Sequence, residues 1–237
     1  MICVLGLIRR ENDSLTNISD RISDRAHPIW RNMMIHRNQM WGHLPMTDEC
    51  FDIFEEVKKV VGDAKKILEI GFNIGASCSM QLDVFPNSEI HTYDPIVWKW
   101  WVDMQRQPDR NIRDHFWREG TYVDLATLSF GDRFHFYNHS SEHLLEDHVP
   151  DFFDYAFIDG HHDYHYVKSD IYNCRQLRIP YLLMDNLNIP DVSRAINETE
   201  ALELVFEKEY TQRYPNDDRI ILDRMGLYKV HHEHILS

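Results

Sequence analysis

The chain of 237 residues carries 39 Asp and Glu against 25 Lys and Arg, a formal charge of -14 at pH 7. That balance opposes docking on a phosphate backbone, whose affinity comes from cationic neutralisation, so no nucleic-acid partner is expected. With 43% hydrophobic residues the length suits one α/β domain with an N-terminal extension, and disorder is excluded.

The start, Met1-Ile-Cys-Val-Leu-Gly-Leu-Ile-Arg-Arg, places its positive charges after a short apolar run. That is the reverse of a secretory signal and too short to span a bilayer, so it reads as a strand or packing segment. No other stretch reaches membrane-spanning length. Cys3, Cys50, Cys78 and Cys174 are scattered without paired spacing, which argues against a disulfide framework and for a reducing compartment. A cytoplasmic protein with no membrane partner is the expectation. Residues 11–46 are polar and irregular in period, so 1–46 read as a cap outside the sheet. Within it Met33, Met34, Trp41 and Met46 suit either pocket lining or a contact between copies, which leaves a homo-oligomer open.

Thr47-Asp-Glu then opens a helix and the main domain, 47–237, with Phe51, Phe54, Val57, Val60 and Val61 at helical spacing and Gly62-Asp63 as its stop. The apolar run Ile67-Leu-Glu-Ile delivers Gly71 and Gly75 into a second helix start, a strand-turn-helix junction of the kind that binds nucleotide-like groups. Gly71-x-x-x-Gly75 lacks the third glycine of the dinucleotide fingerprint, and no Gly-Lys-Ser/Thr follows as a P-loop needs. A second short strand, Ser88-Glu-Ile-His-Thr-Tyr, ends in Asp94, placed to accept both ribose hydroxyls of an adenosine or simply to sit solvated at a strand end. Trp98, Trp100 and Trp101 follow in a connection longer than a crossover needs, and suit a lid or ordinary core.

Arg133–Tyr137, Tyr155–Ile158 and Tyr181–Met184 read as buried strands, with helical crossovers near 142–147, 166–177 and 192–204. Two β-rich runs, 204–210 and 219–230, flank Tyr214-Pro-Asn-Asp-Asp and predict a closing antiparallel pair. The fourth strand runs into Asp159-Gly-His161-His162-Asp163 and the fifth into Asp185-Asn186. Asp159, Asp185 and Asn186 are hard oxygen donors suited to Mg, Ca or Mn, although Asp185-Asn186 also suits an Asx turn. His161, His162 and His165 read equally as surface residues at a helix start, and the adjacency to Asp159 singles out His162. His231-His232-Glu-His234 reads as a solvated tail.

The stretch Glu69-x-Gly71-x-x-x-Gly75-x-Ser77 resembles motif I of the class I S-adenosylmethionine-dependent methyltransferases, and the likeness spans roughly residues 47–230. It implies a Rossmann-like, doubly wound, mostly parallel seven-stranded sheet with an antiparallel edge strand. Asp159 with Asp185-Asn186 is similar to the metal set of the catechol and macrocin O-methyltransferase type. The resemblance implies S-adenosylmethionine held by Glu69, Gly71, Asn73, Gly75 and Ser77 around its methionine part, by Asp94 at the ribose, by Ser140 and Ser141 at the adenine, and by Asp159. It further implies a divalent metal, magnesium by preference, on Asp159, Asp185 and Asn186. The catechol enzymes carry a lysine at the position of His162, so His162 or His161 takes the place of the base here. The expected activity is O-methylation of a small molecule such as a sugar, phenol or natural-product intermediate. A metal-independent methyltransferase and a non-catalytic cofactor-binding scaffold are the competing readings.

Overall fold

The computed structural model describes residues 22–28, 30–31, 45–95, 122–213 and 220–232. Thr47 accepts from the backbone N–H of Cys50 and caps the first long helix, α1 (Asp48–Val61). Asp48 and Glu49 in its first turn and Lys58 and Lys59 in its last complement the helix dipole. Its buried stripe is Cys50, Phe51, Ile53, Phe54 and Val57, and Gly62 at φ 76 ends it. Next come β1 (Lys66–Ile70), α2 (Ala76–Val84) and β2 (Glu89–Tyr93). A helix over 122–130, α3, turns Tyr122, Ala126 and Phe130 inward at four-residue spacing.

The chain continues through β3 (Phe134–Tyr137), the single turn α4 (Leu144–Asp147), β4 (Tyr155–Ile158), α5 (Tyr164–Gln176), β5 (Tyr181–Met184) and α6 (Pro190–Asn197), and ends in β6 (Leu202–Arg213) and β7 (Ile220–Val230). The seven strands lie in the order β3-β2-β1-β4-β5-β7-β6. Pairing is parallel from β3 to β5, and β7 runs antiparallel to both β5 and β6. The reversed strand is thus inserted one place in from the edge. Two cores cover the two faces: α1, α2 and α3 pack with Ile67, Tyr155 and Phe157 on one, while α5 and α6 pack with Leu68, Ala156 and Leu182 on the other.

Two expected boundaries move. The crossover expected over 192–204 ends at Asn197, and the first hairpin strand runs longer than 204–210, from Leu202 to Arg213, because its ladder with β7 already starts at Leu202 opposite Val230 and continues to Arg213 opposite Ile220. The first ten residues, Met33, Met34, Trp41, the Trp98–Trp101 stretch, residues 214–219 and His234 lie outside the described residues. Among the described residues no helix is long and apolar enough to cross a membrane. The carboxyl ends of β1, β2, β4 and β5 deliver Gly71, Asp94, Asp159 and Asp185 to one edge of the sheet.

Candidate active site

Gly71 leaves β1 at φ +96, and a Cβ there would lie 2.1 Å from the backbone oxygen of Asp159. Glycine therefore lets the ends of β1 and β4 touch. Asn73 at φ 47 and Gly75 at φ 73 curl the turn onward, and Gly75 caps α2. Asp94 ties the turn down: its Oδ2 accepts from the N–H of Phe72 at 2.7 Å and of Asn73 at 3.1 Å. Its Oδ1 takes no hydrogen bond from the described residues. Burial holds this carboxyl above the usual range, against those two backbone bonds.

Glu69 is 0% exposed and lies beneath the turn. Its Oε1 accepts from Ser77 Oγ at 2.6 Å and Gln81 Nε2 at 3.1 Å, and its Oε2 from Thr92 Oγ1 at 2.8 Å. Strand alternation explains this, since Glu69 shares the face of Ile67 that packs on α2. Glu69 and Ser77 thus take part in a buried brace that joins β1, α2 and β2 beneath the glycine turn. Burial pushes the Glu69 carboxyl up to about 8, against the hydroxyl donors.

At the other end of the edge three carboxyls converge. Asp185 Oδ1 accepts from Tyr210 OH at 2.8 Å, and Asn186, at φ 56, donates Nδ2 to Asp223 Oδ2 at 2.8 Å. His162 Nε2 stands 3.5 Å from Asp159 Oδ1, too long for a firm hydrogen bond. Burial and then Asp223 and Asp94 raise Asp159 well above its ordinary range; burial and then Asp159 do the same to Asp185. Burial lowers His162, so its imidazole is neutral at pH 7. His161 is exposed; its Nδ1 accepts from the N–H of Asp163 at 3.2 Å and its ring lies on Tyr166, away from the carboxyls.

Ser140 caps the turn Ser141–His143 by accepting from the N–H of Glu142 at 3.3 Å. Ser141 donates its hydroxyl to Asp170, while its carbonyl accepts from Asn173 Nδ2 at 3.2 Å. The pair anchors the loop after β3 onto α5, at the same sheet edge, with the Ser141 hydroxyl already committed.

Sequence reasoning missed Asp223 and Tyr210. One signal was present: Asp223 alternates with buried Met225 and Leu227, a carboxyl on the inward face of β7. Oxygen donors dominate the cluster, a chemistry that fits a hard divalent cation. Such an ion would also offset the mutual repulsion that raises Asp159 and Asp185. The fit is one of donor type, since the ligand atoms of Asp159, Asp185 and Asp223 do not all lie within 4.8 Å of one another.

Comparison with known proteins decides the fold. Residues 68–180 match the family described as a methyltransferase domain. The sheet is a Rossmann-like methyltransferase fold. An RNA methyltransferase, provisionally so assigned, from Pyrococcus horikoshii superposes with a TM-score of 0.55 at 9% identity, covering 93% of this chain and 98% of that one. The O-methyltransferase from Bacillus cereus, in complex with SAH, gives 0.51 at 12% identity, covering 94% of each chain. TrmN from Thermus thermophilus gives 0.51 at 11% identity over 76% of this chain, which spans about half, 49%, of TrmN. No curated protein matches the sequence. In this fold the turn at 71–75, Asp94 and the Asp159 cluster lie side by side at the carboxyl edge of the sheet.

Proposed function

We propose that the chain is an S-adenosylmethionine-dependent methyltransferase acting on a hydroxyl oxygen of a small molecule, with the 47–237 domain carrying the activity and 1–46 acting as its cap. The observation that carries this reading is the shared edge: a glycine turn with a free Asp94 oxygen next to an acidic cluster faced by a neutral histidine. The methyl–sulfur bond breaks as the methyl–oxygen bond forms, and the hydroxyl proton passes to His162. Asp159, Asp185 and Asn186 would hold a divalent cation, with Asp223 orienting Asn186. When bound, that cation supplies acidity to a coordinated hydroxyl. Glu69, with Ser77, fixes the turn rather than touching the cofactor. The negative charge of -14 weighs against an RNA substrate. A cytoplasmic setting suits the free, buried thiols of Cys50, Cys78 and Cys174.

Calorimetric titration with S-adenosylmethionine, S-adenosylhomocysteine and NAD, each with magnesium and with chelator, tests the reading. Binding of the first two, weakened at least tenfold by Asp94→Ala, is the expected result. NAD binding in their place sinks the methyltransferase assignment, and activity that is indifferent to chelator removes the metal from it.

A further inference from the structure

A different cluster lies at the opposite edge of the sheet. Glu89 opens β2 and His91 follows two residues later, so both leave the same face. His135 pairs with His91 across the parallel β2–β3 ladder, and the two rings stack with centroids 4.4 Å apart. Glu89 Oε2 lies 3.8 Å from His91 Nε2 and 3.7 Å from His135 Nε2, and one ligand atom from each residue falls within 4.8 Å of the others. His91 is only 5% exposed, yet its Nε2 has no hydrogen-bond partner, and neither has His135 Nε2. Buried ring nitrogens are ordinarily satisfied, so both invite an electron-pair acceptor.

The surroundings orient these donors. Tyr137 OH lies 3.1 Å from His91 Nδ1, which turns Nε2 toward Glu89, as an outer partner does for a metal-bound imidazole. His148 stands edge-on to His91 at 5.3 Å, and its Nε2 is likewise buried without a partner. Burial, then His135 and His148 nearby, drive His91 down to about 3, so it offers a lone pair at neutral pH. Lys66 Nζ contacts the same Glu89 oxygen at 2.9 Å and is the resident cation.

We propose that Glu89, His91 and His135 form a binding site for a borderline divalent transition ion, zinc by preference, separate from the Asp159 cluster. Two imidazoles and one carboxylate are a common zinc donor set, with bonds of about 2.0–2.2 Å that in a tetrahedron bring ligand atoms to about 3.4 Å from each other. The observed 3.7 and 3.8 Å from Glu89 to the two ring nitrogens are close to that, and the stacked rings of His91 and His135 would turn toward each other to share the ion. Magnesium, which demands oxygen, does not suit it. Five residues of strand separate Glu89 from Asp94, about 16 Å, so the ion would staple β2 to β3 rather than meet substrate.

The test is calorimetric titration of the chelator-stripped full chain with zinc chloride and with magnesium chloride. Wild type should take up zinc, with affinity weakened at least tenfold in His135→Asn and unaltered in His231→Asn, which changes a half-exposed terminal histidine paired with Glu203. His135 keeps 38% of its side chain exposed, so its replacement leaves the core packed. Lys66→Met should bind zinc more tightly, because the competing ammonium is gone. Absence of zinc binding in wild type, or binding undiminished in His135→Asn as the terminal histidines would give, overturns the proposal.

Discussion

At Glu69 a carboxyl is sealed under the glycine turn by donors from α2 and β2, and burial lifts it from 4.5 to about 8. Between those values the folded chain holds a proton that the unfolded chain has released. The stabilisation is therefore complete below pH 4.5 and is lost as pH rises through 8, with a slope of at most about 1.4 kcal/mol per pH unit from one proton. Asp159 and Asp185, also raised, add in the same direction. Urea denaturation should give a lower midpoint at pH 8 than at pH 5, and Glu69→Gln should narrow the gap. An identical gap in the variant would place the proton elsewhere. His162 titrates below 6.5, so the acid limb of a kcat/KM profile should fall below that pH. His162→Ala should depress kcat by about a hundredfold while cofactor affinity stays within twofold; unchanged turnover would remove it from the chemistry.

Among the elements, the strand-turn-helix unit from β1 to α2 depends on the close approach of two strand ends. Gly71→Ala sets a methyl against the Asp159 carbonyl in a conformation alanine resists, and should cost about 3 kcal/mol or more in chemical denaturation, with loss of cofactor binding. A stable, cofactor-binding variant would contradict the tight contact between β1 and β4. Much of this unit is legible in the sequence: β4 and β5 occupy the predicted residues, β2 is shorter by one at its start, and Thr47 caps where the spacing predicts. Periods of two and of 3.6 both fit the residues around Leu202, so there the sequence cannot separate helix from strand. Asp223 and Tyr210 reach the site through the β6–β7 pairing, whose register shifts between Leu204 and Phe206. Such a bulge is a tertiary outcome that local pattern does not encode. The hydrogen bonds of Glu69 to Ser77, Gln81 and Thr92 were not legible either, because a motif names residues and strand alternation with tertiary packing decides what they touch.

For the whole molecule, the described part of the N-terminal 46 residues shares the main core. Trp30 is 0% exposed, stacks on Phe130 with centroids 6.4 Å apart and lies against Gly75, where an added Cβ would meet its ring at 2.9 Å. Arg25 pairs with Asp52 and Glu55 on α1. Composition suggested an appendage, since a short polar stretch hides one large anchor residue well. Trp30→Ala should lose about 3–5 kcal/mol and loosen the glycine turn, read as a lower Tm together with weaker cofactor binding. A loss of stability with cofactor affinity intact would confine Trp30 to the core.

The strand order also sets a timetable for synthesis. β1 pairs with β4, Ile67 opposite Tyr155, and the N–H groups of Lys65 and Lys66 bond to Asp154, up to 89 residues away. While the ribosome is still making the residues before 154, one edge of the strand carrying the glycine turn has no partner, and its apolar row is open to other chains. The central strand of the finished sheet is thus an edge strand during translation, and substitutions that slow the arrival or docking of β4 should lower soluble yield before they alter the folded protein.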